Sequence, residues 1–244
     1  MDNINAFIQV RMSSSRFPNK VLEKVNGVSM IEFMYQRVQQ AKLIDKSIII
    51  TSTEPSDDKI EELCLANNIP YVRGDLDDVL NRFYQAYQKY PCHNIVRLTG
   101  DCPLIDPSVI DLVLEQHINE KNEYTSNINP PTFPDGYDVE VLTSKTLEYV
   151  WETAKSAKDR EHVTYYIRTN DGFKSGNLKD NVDNSHLRVT VDYKEDLTLV
   201  NSIISELGIE NLRYQKVSEF LNNNEKSRNI NNNFKRNEAL PELE

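Results

Sequence analysis

The sequence predicts an α/β fold in which helices cover both faces of a mainly parallel sheet. Over roughly the first hundred residues, short apolar runs alternate with segments whose apolar residues recur at helical spacing. This β-α-β-α-β-α-β order is typical of parallel strands joined by crossover helices. A chain of 244 residues is long enough for one large domain of this class.

The elements of the first half follow from these patterns. The first strand is a short run of mainly apolar residues, several of them β-branched or aromatic, and the helices show one apolar face. In chain order we predict strand 4–10, helix 29–41, strand 47–51, helix 56–67, strand 69–72, helix 77–90 and strand 94–98.

The second half is less regular. The proline-rich stretch 129–136 must be a loop. Around it we predict helix 108–119, strand 137–142, helices 144–154 and 160–169, strand 187–192 and helix 194–207. From residue 222 the composition shifts to asparagine and charge without hydrophobic periodicity. We therefore expect one domain over residues 1–221 and a flexible tail over 222–244, or an arm that orders only on a partner.

Composition narrows the class of protein. A net charge of −10 and a pI near 5.0 argue against a general nucleic-acid binder. The three cysteines form no C-x-x-C pair, which favours a reducing cytoplasm over a disulfide framework or a zinc site. No apolar run approaches the roughly 20 residues of a membrane span, and no leader precedes the first strand. We expect a cytoplasmic protein without a membrane or nucleic-acid partner.

The loop after the first strand is the clearest candidate for a binding site. Arg11, Arg16 and Lys20 surround the serines Ser13, Ser14 and Ser15. Fixed cations, hydroxyls and backbone N–H groups together suit an anion, and a triphosphate carries several charges in line. The loop leaves the carboxyl end of a strand, where ligands of open α/β sheets bind. A solvated basic turn is the alternative. Neither the Walker A nor the G-x-G-x-x-G pattern is present.

Two aspartates follow predicted strands. Asp101 comes after the strand 94–98, and Asp192 ends the strand 187–192. Carboxylates at the ends of separate strands can share Mg²⁺, which takes one or two carboxylates and completes its shell with water and phosphate oxygens. Taken singly, each is better explained as a cap or turn aspartate. Together with the cationic loop, they favour a magnesium site.

Further polar residues are candidates for contacts with a substrate. Arg160 and His162 lie in a dense polar cluster at a predicted helix start and could bind a carboxylate or hydroxyls; an ordinary helix surface is equally consistent. Asp138 and Glu140 could accept hydrogen bonds from sugar hydroxyls, or simply lie on an edge strand. Arg73 follows the third strand and could contact a base or ribose, or belong to a plain turn.

These motifs occur together in one order along the chain. They are Q-V-R-M-S-S-S-R-F-P-N-K-V-L from residue 9, T-S-T from 51, R-G from 73, R-L-T-G-D-C-P-L-I from 97, P-D-G-Y-D-V-E-V from 134, D-R-E-H-V-T from 159 and H-L-R-V-T-V-D from 186. The set closely resembles the spore coat polysaccharide biosynthesis protein F family. That family belongs with the cytidylyltransferases that activate acidic sugars such as 3-deoxy-manno-octulosonate and nonulosonates. The resemblance runs from about residue 5 to residue 207.

The resemblance implies a Rossmann-like, glycosyltransferase-A-type nucleotidyltransferase, with three α/β/α layers and a mixed, mainly parallel sheet. It also implies a homodimer that pairs through roughly residues 120–185. In the first loop, Ser13 and Asn19 stand where the family pattern has glycine, and Phe17 stands where it has leucine. All three cations remain, so the charge of the loop is retained.

The resemblance further implies transfer of CMP from CTP to a hydroxyl of an acidic sugar, with release of pyrophosphate. The implied roles are catalysis by Arg11, Lys20 and Asp101; nucleotide binding by Arg11, Ser13, Ser14, Ser15, Arg16, Lys20, Arg73 and Thr99; sugar binding by Asp138, Glu140, Arg160 and His162; and Mg²⁺ binding by Asp101 and Asp192.

Three other functions stay open at this point. One is a nucleotidyltransferase whose acceptor bears a phosphate or phosphonate. Another is a glycosyltransferase of the same fold, although Gly100-Asp101-Cys102 offers only one acid of the usual D-x-D motif. The last is a protein that binds nucleotide without turnover.

Overall fold

In the computed structural model, residues 3–236 are described, and they form nine β-strands and ten α-helices. The strands are β1 (Ile4–Gln9), β2 (Lys24–Val25), β3 (Val28–Ser29), β4 (Lys46–Ser52), β5 (Tyr71–Gly74), β6 (Asn94–Thr99), β7 (Tyr124–Ser126), β8 (Glu140–Thr143) and β9 (Ser175–Asn177). The helices are α1 (Met30–Val38), α2 (Asp58–Ala66), α3 (Val79–Lys89), α4 (Pro107–Glu120), α5 (Ser144–Thr153), α6 (Ala157–His162), α7 (Tyr165–Arg168), α8 (Lys194–Leu207), α9 (Tyr214–Asn223) and α10 (Glu225–Arg228).

Seven of these strands form one sheet in the order β5-β4-β1-β6-β8-β7-β9, while β2 and β3 make a separate hairpin. The first four strands of that order are mutually parallel, and β8 runs antiparallel to both β6 and β7. Strand β1 is central, so its residues face helices on both sides, and five of the six are buried. The predicted fold class, with its mixed and mainly parallel sheet, is confirmed.

The core has two parts, one on each face of the sheet. Ala6 and Ile8 of β1 belong to the part that packs with α1, α2, α4, α8 and α9. Phe7, which points the other way, belongs to the part that packs with α3, α5 and α7. The helices therefore form two layers around the sheet, and the carboxyl ends of β1, β4, β5 and β6 open on one common edge.

Several predicted elements differ from the structure. The strand predicted at 187–192 is wrong: Val189 N donates to Asp135 O at 2.7 Å and Val191 N to Asp101 O at 2.8 Å, but the segment joins no sheet. Its alternating apolar residues reflect packing into the core. The helix predicted at 160–169 is interrupted at Val163, whose φ of 50° separates α6 from α7. The short strands β2, β3, β7 and β9, and the helices α9 and α10, were not predicted.

The boundary after residue 221 stays a prediction, but residues 222–236, expected to be a flexible tail or an arm, contact the rest of the domain. The Asn231 side chain is 3% exposed, and its Nδ2 donates to Asp196 Oδ1 at 2.8 Å. The Phe234 ring stacks on Tyr193 with ring centroids 3.8 Å apart. Hydrophobic periodicity does not report such contacts, because polar asparagines and a single aromatic ring make them. Residues 237–244 of the predicted tail lie outside the described residues.

Three observations bear on the remaining expectations. Within residues 3–236, no helix is long and apolar enough to cross a membrane. The cysteines Cys64, Cys92 and Cys102 are all buried and carry free thiols. The homodimer through residues 120–185 stays a prediction.

One buried histidine makes the stability of this fold depend on pH. His117 on α4 is 2% exposed; its Nδ1 lies 3.0 Å from Thr125 Oγ1 and its Nε2 lies 3.2 Å from Asn94 Oδ1. Burial lowers the pKa of the imidazole to about 4. Above about pH 6.5 the ring is neutral in both the folded and the unfolded chain. Below that pH the unfolded chain takes up a proton that the folded chain excludes, so folding is weakened.

We therefore expect the free energy of unfolding to fall by about 1.4 kcal/mol per pH unit, through His117 alone, as the pH drops from about 6.5 toward 4. Denaturant unfolding at pH 7, 6 and 5 measures this. The variant His117→Gln should show a shallower dependence, whereas His93→Gln, at an exposed histidine, should follow the native protein. Parallel curves for all three proteins would contradict the assignment.

Candidate functional site

The loop after β1 is anchored at its start by a buried aspartate. Asp57 is fully buried and accepts a hydrogen bond from Met12 N at 2.8 Å; it also accepts from Thr51 Oγ1 at 2.8 Å and Ser52 Oγ at 2.5 Å. At the other end of the loop, Asn19 has a φ of 63°, in the left-handed region. Asparagine adopts this region more readily than most residues, which explains how it stands where the family pattern has glycine.

Lys20 joins the loop to both predicted metal ligands. Its side chain is buried, and its Nζ donates to Val191 O at 2.7 Å, to Asp192 Oδ1 at 2.9 Å and to Asp101 Oδ2 at 3.4 Å. Burial alone would lower the pKa of the ammonium, but Asp101 and Asp192 raise it above its ordinary value. Lys20 therefore remains a cation.

Asp192 is held by three cations at once. Besides Lys20, Arg16 Nη2 lies 2.8 Å from its Oδ1 and Arg188 Nη2 lies 3.0 Å from its Oδ2. Burial alone would raise the pKa of Asp192, but the charges of Lys20 and Arg16, with the hydrogen bond from Arg188, hold that pKa well below its ordinary range. The carboxylate therefore stays ionised and fixes the positions of the cations around it.

Arg188 extends this network to further carboxylates. Its Nη1 lies 2.8 Å from Asp135 Oδ2 and its Nε lies 3.0 Å from Asp196 Oδ1. Asp138 pairs instead with Arg236, which also donates to Phe133 O at 3.1 Å. Burial, together with the neighbouring Asp138 charge, raises the pKa of Asp135 to about 7. The aspartates Asp135 and Asp138, here called the acidic wall, are therefore not fully neutralised by Arg188 and Arg236.

Two neighbouring cavities open beside this network. The first, here called the loop cavity, has a volume of about 340 Å³ and is lined by the cationic loop together with Val79 and Arg82 of α3. The second, here called the acidic cavity, has a volume of about 240 Å³ and is lined by the wall of aspartates together with Arg168 and Lys235. The residues that line both cavities are Arg16, Arg97, Thr99, Asp101, His162 and Asp192.

Most of the predicted site residues lie at these cavities. Those that line only the loop cavity are Arg11, Ser14, Ser15 and Lys20; those that line both are Arg16, Thr99, Asp101, His162 and Asp192; those that line only the acidic cavity are Asp138 and Glu140. Ser13 is exposed and lines neither of them.

Two predicted arginines are not brought to either cavity. The Arg73 guanidinium lies 2.7 Å from Asp58 Oδ1, pairs with Glu61 and donates to Ser52 O at 2.8 Å. Arg160 pairs with Asp78 and donates to Trp151 O at 3.0 Å. Because their donors are taken up by partners of the protein itself, their predicted contacts with nucleotide and sugar find no support in the geometry.

Glu140 reaches the acidic cavity but its oxygens are occupied. It accepts from Tyr124 Oη at 2.5 Å and Thr164 Oγ1 at 2.6 Å, and it pairs with Arg97. Burial alone would raise its pKa, but Arg97 and Arg168 lower it overall. Its predicted contact with sugar hydroxyls therefore competes with three partners in the protein, and its evident role is to hold Arg97.

Sequence reasoning missed several residues that line the cavities. Arg97 and Arg188 lie inside the motifs quoted above, so the motifs themselves were the available signal. Arg82 carried no signal, because it sits among apolar residues of an amphipathic helix. Lys235 lies in the segment that looked like a flexible tail.

The donor chemistry at Asp101 and Asp192 fits Mg²⁺. Within residues 3–236, no group of three or more His, Cys, Asp or Glu side chains is arranged to hold a metal ion unaided. Magnesium needs only one or two carboxylates when phosphate oxygens and waters complete its shell. Asp101 lines both cavities, and its side chain is 29% exposed with its nearest cation 3.4 Å away. Asp101 therefore has room for the ion, whereas both oxygens of Asp192 are engaged by Lys20, Arg16 and Arg188, which the ion would have to displace.

The arrangement suits transfer of a phosphorus group between two bound molecules. The loop cavity gathers cations for a polyphosphate, and the acidic cavity offers carboxylates and arginines to a polar molecule beside it. The cysteine nearest the junction, Cys102, is buried, and burial raises the pKa of its thiol well above the ordinary value. It is therefore unsuited to act as a nucleophile. This favours direct transfer without a covalent intermediate.

Comparison with known proteins agrees with this geometry. A family model described as cytidylyltransferase matches residues 6–240. An uncharacterized protein of Methanocaldococcus jannaschii is 34% identical over 235 residues, which are 95% of this chain and 96% of that protein. The spore coat polysaccharide biosynthesis protein SpsF of Bacillus subtilis is 29% identical over 216 residues, 85% of this chain and 89% of that protein.

A solved structure and a second enzyme extend the comparison. The structure of a cytidylyltransferase from Leptospira borgpetersenii has a TM-score of 0.89 and 30% identity, covering 93% of this chain and 97% of that one. A 3-deoxy-manno-octulosonate cytidylyltransferase of Geobacter sulfurreducens is 30% identical over 111 residues, 45% of this chain and 43% of that protein. Since the family model spans almost the whole sequence, the chain belongs to the cytidylyltransferase family and is a nucleotidyltransferase.

Proposed function

We propose that the protein transfers CMP from CTP to a hydroxyl group of an acidic sugar and releases pyrophosphate, with Mg²⁺ as cofactor. The observation that carries this proposal is the junction of the two cavities, where Asp101 and Thr99 face both the cationic loop and the acidic wall. A nucleotide in the first cavity and a sugar in the second would meet there. The sugar-acid substrate of the Geobacter relative supports this acceptor class.

In this reaction the protein mainly binds the two substrates and stabilises the charge that develops on the phosphates. The oxygen of the sugar hydroxyl attacks the α-phosphorus and gives up its proton to water. The bond from that phosphorus to the pyrophosphate oxygen breaks, and negative charge builds on the leaving group. Arg11, Arg16 and Lys20 would stabilise that charge, and Asp192 already holds Arg16 and Lys20 in place. Mg²⁺, when bound by Asp101 and Asp192, supplies additional stabilisation of phosphate charge.

The acidic cavity also offers partners for an acidic sugar. Asp138 and His162 would hydrogen-bond to its hydroxyls, and Arg168 and Lys235 would meet its carboxylate. Burial lowers the pKa of His162, which favours the neutral ring. A neutral imidazole can accept a hydrogen bond from a sugar hydroxyl as well as donate one.

We also infer a cytoplasmic enzyme that forms a homodimer through roughly residues 120–185. The buried, unpaired thiols support the reducing compartment. The edge strand β9 and Tyr149, which is 52% exposed, both lie in the proposed pairing segment. A monomer mass in sedimentation at micromolar concentration would contradict the dimer.

The reaction is tested by pyrophosphate release in the presence of Mg²⁺. Each of the four common nucleoside triphosphates is offered with 3-deoxy-manno-octulosonate, a nonulosonate or a phosphorylated sugar. We expect release with CTP and an acidic sugar only. Release with another triphosphate would contradict the cytidine assignment, and release only with the phosphorylated sugar would contradict the acceptor class.

The role of Asp101 is tested by Asp101→Asn, which keeps the shape of the side chain but removes its charge. We expect kcat to fall by roughly 100- to 1,000-fold and the Mg²⁺ concentration for half-maximal rate to rise, because a ligand of the ion is lost. Asp171→Asn, at an exposed aspartate, is the matched control and should leave both values unchanged. Near-native kcat in Asp101→Asn, with its melting temperature unchanged, would remove Asp101 from the mechanism.

A further inference from the structure

Val163 separates α6 from α7 in a strained backbone conformation. Its φ is 50° and its ψ is −61°, and Thr164 N donates to His162 O at 2.5 Å across it, which makes a three-residue γ-turn. Positive φ is an outlier for a β-branched residue, because the side chain crowds the backbone there. Such strain persists only where the surrounding structure fixes the chain, and it concentrates at functional sites.

The chain is fixed before the turn by contacts of α6. Arg160 pairs with Asp78 at the start of α3 and donates to Trp151 O of α5 at 3.0 Å. These contacts hold α6 against both helices. His162 is the last residue of α6, so the position of its side chain depends on how the chain leaves this helix.

The chain is fixed after the turn by a buried hydroxyl. Thr164 is fully buried, and its Oγ1 donates to Glu140 Oε1 at 2.6 Å. Glu140 in turn pairs with Arg97, which lines both cavities. Arg168, about one helical turn after Thr164 on α7, lines the acidic cavity. The start of α7 is therefore held by side chains of the site.

The side chain of Val163 packs so that the turn is maintained. It is fully buried in the part of the core that also contains Val150 of α5 and Ile167 of α7. A return of Val163 to helical φ would take its two methyl groups out of these contacts or displace the helices around them. Packing of the side chain therefore opposes the strain in the backbone.

The turn brings two nearby residues to the same site. On an uninterrupted helix, side chains two residues apart lie about 200° apart around the axis, on nearly opposite faces. If Thr164 stayed at Glu140, a helix that continued through Val163 would direct His162 away from the cavities. In the structure His162 instead lines both of them.

We propose that Val163 is a positioning residue: its strained turn holds the imidazole of His162 at the junction of the two cavities, where the ring binds a hydroxyl group of the acceptor. Val163 itself lines neither cavity, so it acts through His162. This inference rests on the proposed function, since it takes the acidic cavity as the acceptor site.

Three variants separate the turn from the packing of the side chain. Val163→Ala removes the two methyl groups but keeps the strain of positive φ, and alanine favours the helical backbone. Val163→Gly removes the same methyl groups, and glycine adopts positive φ without strain. Val150→Ala is the matched control, because it removes two methyl groups from a helical residue in the same part of the core.

The position of His162 is measured without substrate, from the pKa of its imidazole in an NMR titration. The chain has four histidines, and the signal that is lost in His162→Ala belongs to His162. Burial and three nearby cations lower this pKa, against the opposing charge of Glu161. We expect the pKa to stay lowered in Val163→Gly and Val150→Ala. In Val163→Ala it should rise toward the ordinary value of about 6.5, because the ring moves into solvent.

Kinetics with CTP and 3-deoxy-manno-octulosonate measure the effect on the reaction. We expect the KM for the sugar to rise roughly 3- to 10-fold in Val163→Ala, the loss typical of one hydrogen bond, with the KM for CTP unchanged. Val163→Gly and Val150→Ala should keep both native KM values. His162→Ala should raise the KM for the sugar by a similar factor, and adding Val163→Ala to it should cause no further loss, since Val163 acts through His162.

Three outcomes would overturn the proposal. The pKa of His162 could stay at its native value in Val163→Ala, which would mean that the ring does not depend on the turn. Equal rises in the KM for the sugar in Val163→Ala, Val163→Gly and Val150→Ala would assign the loss to core packing. A further loss in the double variant would show that Val163 does not act through His162.

Failure of the proposed function gives a different result. Pyrophosphate would then be released with no acceptor in any variant, while the NMR titration would still report the position of His162. A pKa that rises in Val163→Ala and not in Val163→Gly would support the positioning of His162 by the turn, and equal pKa values in all variants would overturn it.

Discussion

One carboxylate holds the site together. Asp192 contacts Arg16 and Lys20, which both belong to the loop after β1. It also contacts Arg188, which lies in the segment before α8. Through Lys20 the same network reaches Asp101 at the end of β6. Cations that would otherwise repel one another are thereby held close before any phosphate arrives. The side chains therefore need to move little when a ligand binds. Charges that are already in position stabilise a transition state most effectively.

The sheet and most of its helices were predictable because buried positions produce a regular pattern of apolar residues in the sequence. Strand β1 is covered on both faces and has four apolar residues among its six, and the helices carry one apolar face. The segment 187–192 leaves the same trace but pairs with loops, since Val189 and Val191 donate to Asp135 and Asp101 outside any sheet. Periodicity reports which side chains are buried and does not say what the backbone bonds to.

The gathering of polar residues at the cavities was predictable where the sheet decides their position. Arg16, Lys20 and Asp101 follow the central strands β1 and β6, and Thr99 ends β6, so all four reach a common edge of the sheet. For the other arginines, the sequence does not show which ones bind a carboxylate of the protein, because those carboxylates lie far away along the chain. Arg160 is neutralised by Asp78, 82 positions away, whereas Arg82, which looked like part of a helix interior, lacks a carboxylate partner among the described residues. Sequence alone does not distinguish a paired arginine from an unpaired one.

The acidic wall of the site is completed late in the chain. Asp135 pairs with Arg188, 53 residues further on, and Asp138 pairs with Arg236, 98 residues further on. A ribosome makes both aspartates well before either arginine, so during synthesis these carboxylates lack the counter-ions that the folded protein gives them. Burying Asp135 without Arg188 would cost free energy, so this part of the site is stable only after the segment that carries the arginine has been made. The acidic side of the site is therefore completed only after most of the chain has been translated.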